Sequence, residues 1–502
     1  MRLRRVFAQT TAALLFLHSA GFASMQASVD ELVRSRNYDT GGLGVVVMDM
    51  ANDSVVVSIN AGVMMNPASV QKLVTGAAAF EILGPTHMHV TRVFIDGEMN
   101  ADSGVVHGNL YIRGGGDPGL NAEKIWTLVQ HLQHRGIRRV RGDLMIDNFF
   151  FDEVGMGPGF SDDGSRSYQS LISALPPNFS SVGVHHRPGQ EIGSPIHTDL
   201  FPQMDGVRIN STATTVEGSK GRLDVTTSLT GGTTQVTITG TMGIEEQPGY
   251  TYRRMWQTWE AFGSAFRAQA AAGGLVIDGR TVQRRVPDTL AARGAFYTFG
   301  GEPLTVFMNH MFKWSSNFVS EMLFKTMGAF GQGQPGTWPK GTAVVTDWWT
   351  AAGLPGTPHV INGSGMGSAR RPRVRANDTA AAENSVVRTE NLMSAAQAVA
   401  LLAHVSKQKS YFPDFLSALP SSGVDGTLRT RFRRSNLRGV VRAKTGTLNS
   451  LRVSALAGYL LLDDRTYAFA IFCNNVGPNQ YDNWIMQEQI LDIVARTGWG
   501  ER

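Results

Sequence analysis

The chain has 502 residues, more than one hydrophobic core usually organises, so two or three domains are expected. Its 42% hydrophobic and 17% charged residues are typical of a globular protein and exclude a mainly disordered chain. A formal net charge of +5 gives little reason to expect a nucleic-acid partner. The single cysteine, Cys473, excludes an internal disulfide and a thiolate metal cluster, and we interpret it as part of a buried strand.

The first 23 residues have the three parts of a secretory signal peptide. Three arginines come first, followed by the apolar run 11–17 and by a small-x-small cleavage site at Gly21, Phe22 and Ala23. The apolar run is too short to span a bilayer, and removal of the leader would lower the formal charge to +2. The sequence therefore predicts an exported, periplasmic protein whose mature chain has no transmembrane anchor.

Two β-rich runs at 43–50 and 54–59 predict a hairpin just ahead of the first chemically distinctive stretch. There, Ser69 and Lys72 stand three residues apart at the predicted first turn of a helix, where residues i and i+3 share a face. An amine that has lost its proton can serve as the base for a serine nucleophile, and the helix dipole favours developing negative charge. By itself Ser-x-x-Lys is more often an exposed helix face than a catalytic pair.

Residues 91–289 follow a different pattern from the rest of the chain. Strands are predicted at 108–113 and 139–147, with a helix at 121–135 between them. The stretch 178–243 is β-rich with glycine turns. This section is therefore predicted to have secondary structure of its own, distinct from that of the rest of the chain.

A glycine-rich stretch at 114–119 formally matches the G-x-G-x-x-G pattern of a dinucleotide site. The first acidic residue at the end of the next strand, Asp147, lies further along the chain than that motif requires. We interpret the stretch as a glycine-rich β–α turn. Two histidine pairs, one including His89 and the other His186, lack the supporting ligands that zinc needs, so no metal site is predicted.

Two further motifs lie in the second half of the chain. Ser315 and Asn317 form a Ser-x-Asn at a predicted junction between helices, where residues two apart can both face a cleft. A Lys-Thr-Gly-Thr run follows a β-type segment: Lys444, Thr445, Gly446 and Thr447. The order Ser-x-x-Lys, Ser-x-Asn, Lys-Thr-Gly is the signature of the penicillin-binding proteins and serine β-lactamases.

The C-terminal part predicts the remainder of a sheet. A helix is predicted at 392–405, strands at 451–462 and 466–473, and a closing helix at 484–495. Together with the N-terminal hairpin, these strands would form one antiparallel sheet that brings the two ends of the chain together. The predicted fold class is therefore α/β (α+β), with an antiparallel sheet flanked by helices.

With these residues placed, the chain resembles the penicillin-binding protein 4 type of D-alanyl-D-alanine carboxypeptidase, serine peptidase family S13. The resemblance covers about residues 30–497. Besides the three motifs, segments at 114–118, 142–144, 362–365 and 423–428 are similar to segments of that family. One departure is that an asparagine precedes Gly-Ser-Gly where the family often has aspartate, and no chemistry is assigned to that position.

The resemblance implies a β-lactamase/transpeptidase-like catalytic domain made of 24–90 and 290–502. The large insertion would form two smaller domains. An α/β domain would comprise 91–170 and 250–289, and a β-rich domain, 171–249, would be nested within it.

The resemblance also implies roles for the motif residues. Ser69 would attack the D-Ala-D-Ala carbonyl to form an acyl-enzyme, and Lys72 would take its proton. Ser315 would relay a proton toward the leaving D-alanine, and Asn317 would hold Lys72 and the substrate amide. Lys444 would attract the terminal carboxylate of the substrate.

The remaining residues of the third motif would bind substrate: Thr445, Gly446 and Thr447. Backbone N–H groups of Ser69 and Thr447 would form the oxyanion hole. The implied partners are peptidoglycan stem peptides as substrate and β-lactams as covalent inhibitors of Ser69. No metal, organic cofactor or nucleic acid is expected, and a homodimer is left open.

Three other interpretations stay open at this point. A β-lactamase or esterase of the same superfamily would share the acyl chemistry and would turn over β-lactams rapidly. A catalytically lapsed, exported wall-binding protein would not be labelled by penicillin. A dinucleotide-binding protein would depend on the stretch at 114–119. The sequence does not decide between carboxypeptidase and endopeptidase action.

Overall fold

The computed structural model describes residues 25–36, 38–160, 164–201, 204–370 and 387–498. The predicted signal peptide therefore lies outside the described residues. Among the helices of these five ranges, none is long and apolar enough to cross a membrane.

The strands are numbered in chain order: β1 Leu43–Asp49, β2 Ser54–Ile59, β3 Met88–Asn100, β4 Val105–Arg113, β5 Arg139–Val140, β6 Leu144–Asp147, β7 Ser181–Arg187, β8 His197–Phe201, β9 Val207–Ser211, β10 Thr214–Val216, β11 Arg222–Thr230, β12 Thr233–Gly243, β13 Gly249–Arg254, β14 Val276–Ile277, β15 Thr281–Gln283, β16 Tyr297–Pro303, β17 Ser368–Arg370, β18 Val387–Thr389, β19 Val441–Leu448, β20 Val453–Leu461 and β21 Thr466–Asn474.

The helices are numbered in the same way: α1 25–35, α2 Gln71–Ile82, α3 Ala122–His134, α4 Trp259–Ala272, α5 Asp288–Ala291, α6 Leu304–Lys313, α7 Asn317–Gln332, α8 Trp338–Ala351, α9 Ala395–Ser406, α10 Phe412–Ala418 and α11 Gln480–Gly498.

The described residues fall into two compact units. The first unit takes its residues from Met1–Pro85, Met308–Ser316 and Thr342–Arg502, and the second from Thr86–Phe307 and Asn317–Gly341. The finer division into three domains with the predicted borders stays a prediction.

A five-stranded antiparallel sheet organises the first unit. Its strand order is β19-β20-β21-β1-β2, so the N-terminal hairpin is the continuation of the three C-terminal strands. In the middle of the sheet, Val45 of β1 pairs with Ile471 of β21 on one side and with Ile59 of β2 on the other. The predicted hairpin and the predicted joining of the two chain ends in one sheet are confirmed.

Helices cover both faces of this sheet. On one face, apolar side chains of α1 and α11, among them Val29 and Ile490, pack with the sheet in one buried core. Cys473 belongs to that core, and burial raises the pKa of its thiol to about 12. On the other face, a Cβ at Gly44 would lie 3.8 Å from the side chain of Ala395, at the start of α9. Cys473 is therefore the buried strand residue that the sequence predicted.

A mixed seven-stranded sheet organises part of the second unit. Its path is β14-β5-β4-β3-β16, and β6 pairs with both β4 and β15. The sequence predicted one strand over 139–147, which is wrong because two short strands, β5 and β6, occupy it. Between them the N–H of Asp143 donates to the side chain of Asn109 at 2.8 Å instead of to a neighbouring strand.

The β-rich part of the second unit has a separate hydrophobic core. One sheet joins β10, β12 and β11, with β9 beside β12, and another has the order β13-β7-β8. Side chains from both sheets, including Val184 and Val236, are buried together. The second unit therefore contains this core in addition to the one between the mixed sheet and helices α3 and α4.

The glycine-rich stretch 114–119 is a β–α turn between β4 and α3, as the sequence predicted. The N–H groups of Gly114 and Gly116 donate to carbonyl oxygens of Asp147 and Ala174 at 3.0 and 3.1 Å. A Cβ at Gly115 would lie 2.2 Å from the carbonyl oxygen of Val90. Because this backbone packs against the protein's own chain, it does not present the free N–H groups that bind a pyrophosphate.

His89 lies buried beside this turn. Its Nδ1 is 3.3 Å from the carbonyl oxygen of Gly115, so Nδ1 carries the proton and donates. Its Nε2 is buried and has no hydrogen-bond partner among the described residues. Burial, together with the charge of the neighbouring His87, lowers the pKa of His89 to about 3.

We expect His89 to make the stability of the protein acid-sensitive. An unfolded histidine binds a proton below about pH 6.5, whereas the folded one remains neutral down to about pH 3. The free energy of unfolding should therefore decrease by about 1.4 kcal/mol for each pH unit as the pH falls from about 6.5 to about 3. Above pH 6.5 this contribution should be fully retained. Urea unfolding of the wild type and of His89→Phe at several pH values measures this slope. Equal slopes in the two proteins would contradict the assignment.

Candidate active site

Ser69 and Lys72 lie together where the first motif enters α2. Ser69 is in a 3-10 turn, Ala68–Val70, and Lys72 is the second residue of α2, so the predicted α-helix begins after the serine. Lys72 is fully buried. Its Nζ donates to Ser69 Oγ at 2.9 Å and to the carbonyl oxygen of Ser364 at 2.8 Å. The amine is therefore placed to exchange a proton with the serine hydroxyl once it is in its neutral form.

Residues from the N-terminal and the C-terminal parts of the chain stabilise the turn that carries Ser69. Ala68 has φ +45°, a left-handed conformation that costs a non-glycine residue about 1–3 kcal/mol. Asn66 Oδ1 accepts the N–H of Ala68 at 2.7 Å. The backbone of Asn66 in turn exchanges two hydrogen bonds with the side chain of Asn474, at 2.9 and 3.1 Å. These contacts stabilise the backbone immediately before the serine.

We expect Asn66→Ala to lower both stability and the rate of reaction at Ser69. The substitution leaves the buried N–H of Ala68 without its acceptor and removes the 2.6 Å hydrogen bond from Asn66 Nδ2 to Glu390. An unsatisfied buried group costs about 1–3 kcal/mol. Thermal unfolding and the rate of acylation by a β-lactam measure the two effects. A variant with unchanged values of both would contradict the role given to Asn66.

Ser315 and Lys444 form the second pair of the site. Ser315 lies between α6 and α7 in a left-handed conformation, with φ +56°. The predicted junction is therefore confirmed for Ser315, whereas it is wrong for Asn317, which begins α7. Lys444 lies in β19, and its Nζ donates to Ser315 Oγ at 2.8 Å and to the carbonyl oxygen of Thr445 at 2.7 Å. The second and third motifs, 129 residues apart, are therefore in direct contact.

Lys444 is buried among uncharged oxygen atoms. Burial lowers the pKa of Lys444 well below its usual value, and the charge of the nearby Lys72 lowers it further. Its Nζ donates to a hydroxyl and to a carbonyl, neither of which is charged. An anion that enters the site would supply the missing negative charge and favour the protonated form of Lys444.

Gly446 allows β19 to pass close to the serine turn. A Cβ at this position would lie 2.7 Å from the carbonyl oxygen of Pro67 and 3.1 Å from the backbone nitrogen of Ser69. β19 is also the edge strand of its sheet, so one row of its backbone groups is not used in pairing with β20. The backbone at Ser69 and the backbone at the third motif are therefore close neighbours.

Asn317 is the first residue of α7 and belongs to the second unit. Its side-chain Nδ2 donates to the carbonyl oxygen of Tyr168 at 3.1 Å, within the same unit. The role given to Asn317 by the resemblance, to hold Lys72 and the substrate amide, stays a prediction.

A cleft of about 290 Å³ opens beside these side chains. Residues of the first unit line it: Ser69, Ser315, Thr427, Thr430, Arg431, Thr445, Thr447 and Trp484. Thr445 Oγ1 donates to Thr427 Oγ1 at 2.8 Å. Thr427 has no role predicted from the sequence, although its segment, 423–428, resembles the family. Thr430, Arg431 and Trp484 lie outside every motif, so no local pattern could have indicated them.

Asn362 has a structural function, which was not predicted from the sequence. Its Oδ1 accepts the N–H of Gly365 at 2.8 Å and the side-chain amide of Asn391 at 2.9 Å. Gly365 has φ +80°, and a Cβ there would lie 1.8 Å from the carbonyl oxygen of Ala68. Asn362 therefore shapes the turn whose Ser364 carbonyl holds Lys72.

The fold and the site define a class of protein. A serine hydroxyl is bonded to a buried amine, a second serine is bonded to a second amine, and an edge strand runs beside the nucleophile turn. This is the arrangement of an acyl-transfer enzyme that uses a serine and a lysine.

Residues 25–496 match the D-Ala-D-Ala carboxypeptidase 3 (S13) family, and the chain belongs to this family. A D-alanyl-D-alanine carboxypeptidase of an Actinomadura species is 28% identical over 481 residues, which cover 93% of this chain and 84% of the relative. The predicted family is thus confirmed, and the chain is a serine-type D-Ala-D-Ala carboxypeptidase by class.

Solved structures give the same fold. Penicillin-binding protein 4 (DacB) of Haemophilus influenzae matches with a TM-score of 0.75 at 20% identity, covering 92% of this chain and 98% of that chain. A structure of the same protein complexed with a novel β-lactam matches with a TM-score of 0.70 at 19% identity, covering 93% and 98%. The predicted mixed fold, with a transpeptidase-like antiparallel sheet and flanking helices, is confirmed.

Proposed function

We propose that the protein hydrolyses the terminal D-Ala-D-Ala bond of peptidoglycan stem peptides through an acyl-enzyme on Ser69. The observation that carries the proposal is the 2.9 Å hydrogen bond between Lys72 Nζ and Ser69 Oγ. A serine without an adjacent base is a weak nucleophile at neutral pH, and this contact supplies the base.

In the first half of the reaction, Ser69 Oγ attacks the carbonyl carbon of the penultimate D-alanine, and Lys72 Nζ takes the hydroxyl proton. The tetrahedral intermediate collapses, the C–N bond breaks, and the nitrogen of the leaving D-alanine receives a proton through Ser315 Oγ. Backbone N–H groups of Ser69 and Thr447 stabilise the oxyanion, a type of contribution worth about 10²–10³ in rate for each donor. Water then cleaves the ester and releases the shortened peptide.

The C-terminal carboxylate of the substrate binds at Lys444, Thr445 and Thr447. The burial that lowers the pKa of Lys444 supports this assignment, because a bound carboxylate would favour its protonated form. The hydroxyl of Thr445 already donates to Thr427. A carboxylate that binds there would compete with Thr427 for the hydroxyl proton of Thr445. We therefore assign Thr427 to the edge of the same subsite.

The setting of this activity is the bacterial envelope. The predicted signal peptide supports export to the periplasm, where the peptidoglycan substrate lies. β-Lactams resemble the D-Ala-D-Ala end and would acylate Ser69 as inhibitors, in agreement with the β-lactam complex of the related penicillin-binding protein 4. Cleavage of crosslinks is the same reaction with a longer leaving group, so endopeptidase action is part of the proposal.

Release of D-alanine from a synthetic pentapeptide that ends in D-Ala-D-Ala tests the proposal. Wild-type protein should release one D-alanine per peptide, and Ser69→Ala should release none. A crosslinked muropeptide dimer in a parallel reaction measures the endopeptidase activity. Rapid hydrolysis of benzylpenicillin with no D-alanine release would contradict the proposal and indicate a β-lactamase.

A further inference from the structure

The loop that carries Ser315 is anchored at its start by an ion pair. Lys313, the last residue of α6, lies two residues before Ser315. Its Nζ donates to Asp425 Oδ2 at 2.7 Å and to the carbonyl oxygen of Leu419 at 2.7 Å. The lysine side chain is 15% exposed and the aspartate side chain 42% exposed, so solvent reaches this pair mainly from the aspartate side.

Asp425 is itself fixed by its own segment. Its Oδ1 accepts the N–H of Ser421 at 2.8 Å, while Oδ2 receives Lys313. The next residue, Gly426, has φ +54°, and a Cβ there would lie 2.7 Å from the carbonyl oxygen of Lys313. The backbone of the segment that contains Asp425 and Gly426 therefore packs directly against the start of the Ser315 loop.

The same segment also reaches the third motif. Thr427 accepts the hydrogen bond from Thr445, and Lys444, beside Thr445, donates to Ser315 Oγ. A closed path of contacts thus runs from Ser315 through Lys444 and Thr445 to Thr427, and returns to the Ser315 loop through Asp425 and Lys313. Ser315 holds a left-handed conformation that must be imposed by such surroundings.

We propose that Asp425 is a positioning residue for Ser315, which it orients through Lys313. The proposal depends on the proposed acyl-enzyme function, because it assigns Ser315 a part in proton transfer. Asp425 touches no reacting atom. It acts on the orientation of the Ser315 hydroxyl, and therefore on the rate at which a proton reaches the leaving nitrogen.

Asp425→Asn tests the proposal with little change in shape. The amide oxygen can still accept from Ser421, whereas the charge that holds Lys313 is lost. We expect kcat for D-alanine release to fall about 10-fold to 100-fold, KM to change less than 3-fold, and the melting temperature to stay close to that of the wild type. Asp425→Glu should recover part of kcat.

Lys313→Met should reproduce the loss in kcat, and the double variant should be no slower than either single variant because both remove the same contact. Lys407→Met is the matched control, since Lys407 forms an exposed ion pair with Asp53 in the same unit. This control should retain wild-type kcat.

Two results would overturn the proposal while the proposed function stands. One is a wild-type kcat for Asp425→Asn; the other is a loss in kcat that is fully explained by a lower melting temperature or by a larger unfolded fraction. If instead the wild type forms no acyl-enzyme and Ser69→Ala behaves identically, the proposed function fails, and the role of Asp425 fails with it.

Discussion

Replacing Lys72 by methionine should slow acylation of Ser69 by about 10²–10⁴-fold, the usual contribution of a general base. Lys72 Nζ is the group bonded to Ser69 Oγ, and methionine has a similar length and no proton acceptor of this kind. Because Lys72 is fully buried, the uncharged side chain should fit without a large loss of stability. Stopped-flow acylation by a fluorescent penicillin measures the rate, and thermal unfolding measures the stability.

Lys409→Met is a suitable control for this experiment, because Lys409 is exposed and belongs to the same unit. It should acylate at the wild-type rate. A Lys72→Met protein that remains folded and acylates within a factor of three of the wild type would remove Lys72 from the mechanism.

Gly446→Ala should reduce acylation by about 10²–10³-fold, the effect of losing one oxyanion donor. The added methyl group would lie 2.7 Å from the carbonyl oxygen of Pro67, closer than atoms in contact can approach. β19 must therefore move away from the Ser69 turn, and the backbone N–H of Thr447 moves with it. The β-lactam acylation rate and the D-alanine release rate should fall together.

Gly62→Ala is the matched control, because a Cβ at Gly62 would have no neighbour within 4 Å. It should leave both rates unchanged. If Gly446→Ala keeps wild-type rates, the oxyanion site does not depend on the close approach of β19.

Local sequence patterns predicted most of the elements that position the site. The hairpin of β1 and β2, the junction that holds Ser315 and the strands β20 and β21 were predicted from alternation and turn residues. The start of α9 was predicted at 392, three residues too early, because the prediction used the apolar residues and not the capping box. Ser394 caps the N–H of Gln397, so α9 begins at Ala395.

The site was predictable only where chemistry is concentrated in short motifs. Ser69, Lys72, Ser315 and Lys444 were predicted together, and the structure brings each serine into contact with one lysine. The carbonyl of Ser364 was not predicted as a partner of Lys72, because a backbone oxygen carries no sequence signal.

Contacts between residues far apart in the sequence also could not be predicted from local sequence patterns. Asn66 and Asn474 are 408 residues apart, and their pairing exists only because β21 and the turn before Ser69 are neighbours in the fold. Arg431 lines the cleft and is held by Glu488 and Gln487 of α11. Neither pairing follows a spacing rule, so both required the structure.

Incubation of the protein with a fluorescent penicillin, followed by intact mass measurement, tests the central claim most directly. The wild type should gain the mass of one penicillin, and Ser69→Ala should gain nothing. An adduct that persists in a folded Ser69→Ala protein would place the nucleophile elsewhere. A folded wild type with neither adduct nor penicillin hydrolysis would contradict acyl-enzyme chemistry at this site.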